Sequence, residues 1–187
     1  MAITYRNWKE QLFYLHEGKT KKGNPKYFFS QESQGNLVDE IPEGYEIYEN
    51  VNGQVFLRKI QPKVITDSEI EETKREIEKY PHLKYYRVGV KKNIILVYQP
   101  LQDIKGLTET FKEFGKHLTE DEAFEEIKPD YWQVMRFVLI DPVNRKFEAE
   151  RMHYGGDEGW WYLETGNLNE LLRKFTQHLG KESFFEL

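Results

Sequence analysis

Few side chains in this sequence stand in a pattern that chemistry requires, and most of those lie between His153 and Trp161. The run is His153-Tyr154-Gly155-Gly156-Asp157-Glu158-Gly159-Trp160-Trp161. His153, Asp157 and Glu158 together could serve as candidate catalytic residues, either as a general acid–base pair or as the lip of a metal site. The glycines would let backbone approach a ligand closely. The same run also reads as a wide hairpin turn, its glycines at positive φ and its tryptophans returning to the core. The turn is the favoured reading.

A second constellation mixes rings with cations. Tyr85, Arg87, Lys91, Lys92 and Tyr98 fall on one predicted hairpin and make a candidate binding surface, since stacking platforms for nucleic acid combine those two residue types. Tyr86 lies among them, and strand alternation would bury either Tyr85 or Tyr86.

Other chemistries lack their residues. Cysteine is absent, so there is no thiol nucleophile, thiolate zinc site or disulfide framework. His16, His82, His117, His153 and His178 show no short metal-ligand spacing, and no metal or other cofactor is expected. Gly18-Lys19-Thr20 and Gly23 have the wrong order for a phosphate loop, because Gly23 leads into Asn24-Pro25 and no helix follows. No Gly-x-Ser-x-Gly elbow occurs. Glu69, Glu71, Glu72, Glu76 and Glu78 alternate with Lys74, Arg75 and Lys79, which predicts a solvated, self-paired helix face.

The elements that must position these residues predict an α+β fold, with antiparallel hairpin sheets packed against about three helices and a small β-rich N-terminal portion. Strands are expected at Leu12–His16, Lys26–Ser30, Tyr45–Tyr48 and Val55–Lys59, the last two flanking an Asn52-Gly53 turn. A helix over 66–80 opens with the capping box Thr66/Glu69 and stops at Pro81. The hairpin Tyr85–Val90 and Asn93–Tyr98 follows. Leu107, Phe111, Phe114 and Leu118 predict one apolar helical stripe, interrupted by Gly115, before a second capping box at Thr119/Glu122. Strands are then expected at 132–140, 146–153 and 160–164. The last helix carries Leu168, Leu171, Leu172, Phe175 and Leu179 on one face, with Asn167 as its cap and Gly180 beyond its end. Charge balance and element type both change near Gln61-Pro62-Lys63, which divides the chain into a β-rich module at 1–62 and an α+β domain at 63–187.

The run Ile41-Pro42-Glu43-Gly44-Tyr45-Glu46, continuing to Lys59, resembles the opening of a WW domain. Tyr45 stands where that family has its first Trp, and no second Trp follows. The resemblance therefore implies a hairpin entered through a Pro-x-Gly bend, and no ligand. The wider stretch from Gly23 to Ser30, through Gly44–Asn50, to Arg58-Lys59 is similar to uncharacterised bacterial proteins of comparable length. That implies a bacterial source and no activity.

Net charge is −5, and residues 1–62 are neutral, so residues 63–187 carry the whole excess. Such a balance disfavours nucleic acid as a partner while leaving local patches possible. There is no signal-like N-terminus or membrane-spanning apolar run, which points to a cytoplasmic protein with no membrane association. With 15% aromatic residues, the hairpins offer adaptable contact surface. The expected function is a non-catalytic binding or accessory role, most readily with a protein partner. The alternatives are a hydrolase or nuclease, metal-independent or metal-assisted, using the His153–Trp161 loop, and a structural subunit of a larger assembly. The sequence leaves oligomeric state and partner identity open.

Overall fold

In the computed structural model, which describes residues 2–153 and 159–187, the chain is α+β and divides into two compact units, Met1–Gln61 and Pro62–Leu187.

The first unit is all strand and turn. β1 (Thr4–Arg6), β2 (Leu12–Lys19) and β3 (Pro25–Ser30) form an antiparallel sheet in that order, and β4 (Tyr45–Glu49) pairs with β5 (Val55–Lys59). Polar side chains tie these pieces together. Asn7 donates to the Gly53 carbonyl at 2.7 Å, Trp8 Nε1 donates to Val51 O at 2.9 Å, and Tyr5 donates to the Glu49 carboxylate at 2.9 Å. The β4–β5 turn differs from the expected Asn-Gly type. Asn50 closes it by accepting from the amides of Asn52 and Gln54, and only Gly53 takes a positive φ. Asn7 Nδ2 lies 2.8 Å from where a Cβ on Gly53 would stand, so the glycine also admits the Asn7 bond.

The second unit is built on a five-stranded antiparallel sheet, ordered β10-β9-β8-β7-β6. Its strands are β6 (Arg87–Lys91), β7 (Ile94–Pro100), β8 (Tyr131–Asp141), β9 (Lys146–His153) and β10 (Gly159–Asn167). The two expected hairpins thus share one sheet, joined where β7 pairs with β8. Ile95 faces Phe137, Val97 faces Met135, and Leu139 faces Phe147 across neighbouring strands, all buried. On this layer pack α1 (Asp67–Glu78) and α4 (Leu168–Phe175), through Ile77, Leu171, Leu172 and Phe175.

Both capping boxes form as the spacing predicts, and Asn167 caps α4 by accepting from Glu170 N at 3.0 Å. Residues 101–130 leave the sheet between β7 and β8 as α2 (Ile104–Glu113) and α3 (Glu120–Ile127), which with α1 and α4 gives four α-helices among the described residues. The expected apolar stripe of α2 forms only in part, with Leu107, Phe111 and Leu118 half-buried. Gly115 turns to a φ of 80°, α2 ends at Glu113, and Phe114 is left 80% exposed while Ile104 and Thr108 face inward.

The charged face of α1 is not wholly solvated either. The Glu69 carboxylate accepts from Arg145 Nε at 2.9 Å across 76 residues, and Glu76 is buried. Burial alone would raise the Glu69 pKa. The hydrogen bonds from Arg145 and Thr66, with the Arg145 charge, outweigh it and hold the carboxyl below its ordinary value.

Candidate functional site

Strand parity places the aromatic run of β10 on both faces of the sheet's edge. Trp160 stands opposite Met152 and Trp161 opposite Arg151, so the two indoles point to opposite sides. On one side, Arg136 ion-pairs with Glu150 and its guanidinium lies 4.3 Å from the Trp160 ring centroid. On the other, the His153 imidazole stacks on Trp161 with centroids 3.9 Å apart and planes 13° apart. The Arg151 guanidinium sits 4.7 Å from the same indole.

Arg151 is only 3% exposed and shares strand parity with the core residues Phe147 and Ala149. Its donors go to backbone carbonyls, with Nε to Leu187 O at 3.0 Å and a terminal nitrogen to Phe185 O at 3.4 Å. A buried cation needs such partners, because desolvation without them is expensive. The result is a fixed stack of imidazole, indole and guanidinium at the end of β9 and β10. Contrary to the expected return of both tryptophans to the core, Trp160 is half-buried and Trp161 remains 48% exposed. Alternation on an edge strand cannot bury both rings, and the bulge between Tyr162 and Glu164 turns the rest of the strand.

Of the acid–base candidates, only His153 can be placed. Asp157 and Glu158 lie outside the described residues. Among the described residues, no group of three or more His, Asp or Glu side chains is arranged to hold a metal ion.

The ring-and-cation hairpin does not assemble into one platform. Arg87, Lys91 and Tyr98 share a face of β6 and β7, with Arg87 directly opposite Tyr98, whereas Lys92 sits in the turn at a φ of 56°. Tyr85 and Tyr86 precede the strand, so alternation does not apply to them, and both are partly exposed. Tyr85 is committed to α3. Its ring stacks on Phe124 at 4.8 Å, and its hydroxyl donates to Asp121 at 2.9 Å. Burial, that hydrogen bond, and the negative charges of Asp121 and Glu120 push its pKa upward. The Arg87 guanidinium lies 4.8 Å from the Tyr131 ring centroid, and burial raises the pKa of the Tyr131 hydroxyl.

At the open end of this hairpin a cleft of about 700 Å³ opens between the segment 81–86, the chain leaving β7 and the start of α3. His82 donates from Nε2 to Leu179 O at 3.0 Å, which fixes one wall. The Gln102 Oε1 atom is buried there without a hydrogen-bond partner. Asp103 holds the N-cap position of α2 but makes no side-chain cap bond. These residues were not legible as a site. The available signal was negative: Asp103 is followed three positions on by Gly106, where a capping box would have Glu or Gln.

Comparison with protein-family models, curated proteins and solved structures finds no match to this chain. Among the described residues, no helix is long and apolar enough to cross a membrane.

Proposed function

We propose that this protein is a non-catalytic binding module that recognises a protein partner at the β10 edge of its second unit. The supporting observation is the exposure of neighbouring Trp161 (48%) and Tyr162 (60%) on a nine-residue strand at the edge of a sheet. β10 pairs with β9 and, among the described residues, with no other strand, so its outer backbone groups can add a partner strand. The bulge after Tyr162 bends the second half of the strand, leaving Gly159–Tyr162 as the regular portion.

Large rings held in place by neighbours give interface energy with little ordering cost, and tryptophan and tyrosine are enriched among residues that dominate binding. The Trp161 ring is held in this way by His153 and Arg151. Its stack with His153 also favours a positioning role for the imidazole over proton transfer. The acidic balance of residues 63–187 favours a protein over nucleic acid as the partner.

The test is co-purification from the native host with wild-type protein and the Trp161→Ala/Tyr162→Ala variant, followed by direct binding to each recovered partner. The double variant should weaken binding at least about tenfold, while Val143→Ala, in the exposed β8–β9 turn, should leave it unchanged. Equal binding by the double variant would remove the β10 edge from consideration. An activity lost in His153→Ala while partner binding persists would favour the hydrolase reading instead.

A further inference from the structure

We infer that the cleft at the open end of the β6–β7 hairpin is a second binding site, and that it takes a ligand bearing a guanidinium group. Its walls are aromatic and rigid: Tyr85 is fixed by Phe124 and Asp121, and His82 by the Leu179 carbonyl. Flat rings beside carboxylates suit a planar cation, which stacks and donates together.

Three acceptor side chains belong to residues that line the cleft. The carboxylates of Asp103 and Glu120 both line it and make no hydrogen bond or ion pair with a described residue. Asp121, next along the chain, is by contrast already held by Lys84 at 2.6 Å and by Tyr85. The third acceptor is Gln102 Oε1, buried and unpartnered. A buried acceptor without a donor is costly, and a ligand N–H that reached the Gln102 amide would relieve that cost. Lys105 is the opposing charge on the lining, and it leaves two carboxylates to one ammonium.

Asp103 is kept available by its own helix. A Cβ on Gly106 would lie 2.6 Å from the Asp103 carboxylate, so the glycine at the third position of α2 makes room for it. The carboxylate makes no cap bond there, although Asp is among the best N-cap residues. An aspartate in capping position that does not cap is free to meet a ligand.

A guanidinium can arrive as a free small molecule or on an arginine of a polypeptide. The test titrates N-acetyl-arginine amide, N-acetyl-lysine amide and a short arginine-containing peptide into the full chain at low ionic strength. The readout is the NMR signal of the Gln102 side-chain amide. Saturable shifts with the two arginine probes are expected, with the lysine probe at least about tenfold weaker. Asp103→Asn/Glu120→Gln should raise Kd for the arginine probes about tenfold or more, with the fold checked by its NMR spectrum. Tighter binding of the peptide assigns the guanidinium to a partner polypeptide, and equal binding assigns it to a small molecule. Trp161→Ala should leave this site intact, which separates it from the β10 edge. The proposal is overturned by absence of saturation, by equal binding of lysine, or by binding that survives the double variant unchanged.

Discussion

The two units hold together by different means. In Met1–Gln61, Leu15 and Val55 are the only buried apolar side chains among the described residues, and Asn7 and His16 are buried beside them as polar groups. Side-chain hydrogen bonds do the work there. Asn7 alone bonds Gly53 and Gln11, and His16 donates to the Glu32 carbonyl at 3.0 Å while stacking on Phe28. Pro62–Leu187 instead has a continuous apolar core running through β7, β8, β9, α1 and α4. Directional bonds fix a small β-structure in one arrangement but contribute little net energy each, whereas buried area stabilises in proportion to size. A unit of about 60 residues with so small a core is marginal. The physics therefore assigns stability to the second unit and local sensitivity to the first.

The sharpest way to break this contrast is in the second unit's core. Phe137 is fully buried between Ile95 and Ala149, and Phe137→Ala should cost about 3–5 kcal/mol by denaturant unfolding. A loss below about 1 kcal/mol would mean that the sheet is not the centre of that unit's stability. Asn7→Ala probes the other mode. It strands the Gly53 carbonyl and the Gln11 side chain, and should cost about 1–3 kcal/mol, seen as faster amide exchange across residues 2–61. Exchange in residues 62–187 should stay slow, and matched acceleration there would show that the two units do not differ as described.

A third prediction concerns the charge pair between Glu69 of α1 and Arg145 in the β8–β9 turn, 76 residues apart. Because Glu69 has a depressed pKa, its contribution is fully present above the ordinary glutamate value of 4.5 and is lost as pH falls through the folded value. Arg145→Ala should cost about 1–3 kcal/mol near neutral pH. The gap between wild type and variant should narrow as pH drops below 4.5, measured by chemical unfolding at several pH values. A gap independent of pH would mean that Arg145 acts through packing alone.

What was legible in the sequence follows the range of the interactions. Thr66/Glu69, Thr119/Glu122 and Asn167 cap their helices as their spacing predicts, because capping is settled within one helical turn. The five apolar residues from Leu168 to Leu179 are all buried, although α4 ends at Phe175 and Leu179 follows a 3-10 turn at Thr176–His178, short of the single helix expected. β1 went unread, as three residues of Thr4–Arg6 carry no alternation to count. The Gly115 interruption is legible, but periodicity does not say that the helix already ends at Glu113 and leaves Phe114 outside the stripe. The pairing of β7 with β8, the reach of Arg145 to Glu69 and the Arg151 stack all depend on partners far apart in the chain. The candidate site divides the same way: His153 and the tryptophans were singled out by type, but which rings meet water is decided by which strand ends the sheet. Arg151 did leave a trace, as a cation at the parity of Phe147 and Ala149.

The smallest expected effect is the most informative about function. If the second unit draws its stability from its core, an aromatic residue at its edge should matter little to folding. Trp161 is half-exposed and contacts His153 and Arg151, contacts of about 0.5–1 kcal/mol each at such sites. Trp161→Ala should therefore shift unfolding by about 1 kcal/mol, well under the about 3–5 kcal/mol expected for a buried ring such as Phe137. His153→Ala removes one of the two contacts and should fall below Trp161→Ala. Trp160→Ala removes the ring beside Arg136 and should be of the same small order, since that ring is only half-buried. Thermal and denaturant melts of the three variants give the ranking directly. A loss of about 3 kcal/mol or more at Trp161 would mean that the stack supports the fold, and the reason to see its exposed ring as a partner contact would go with it. A small loss leaves a large, ordered, solvent-facing indole that folding does not require, which is the condition a binding residue has to meet.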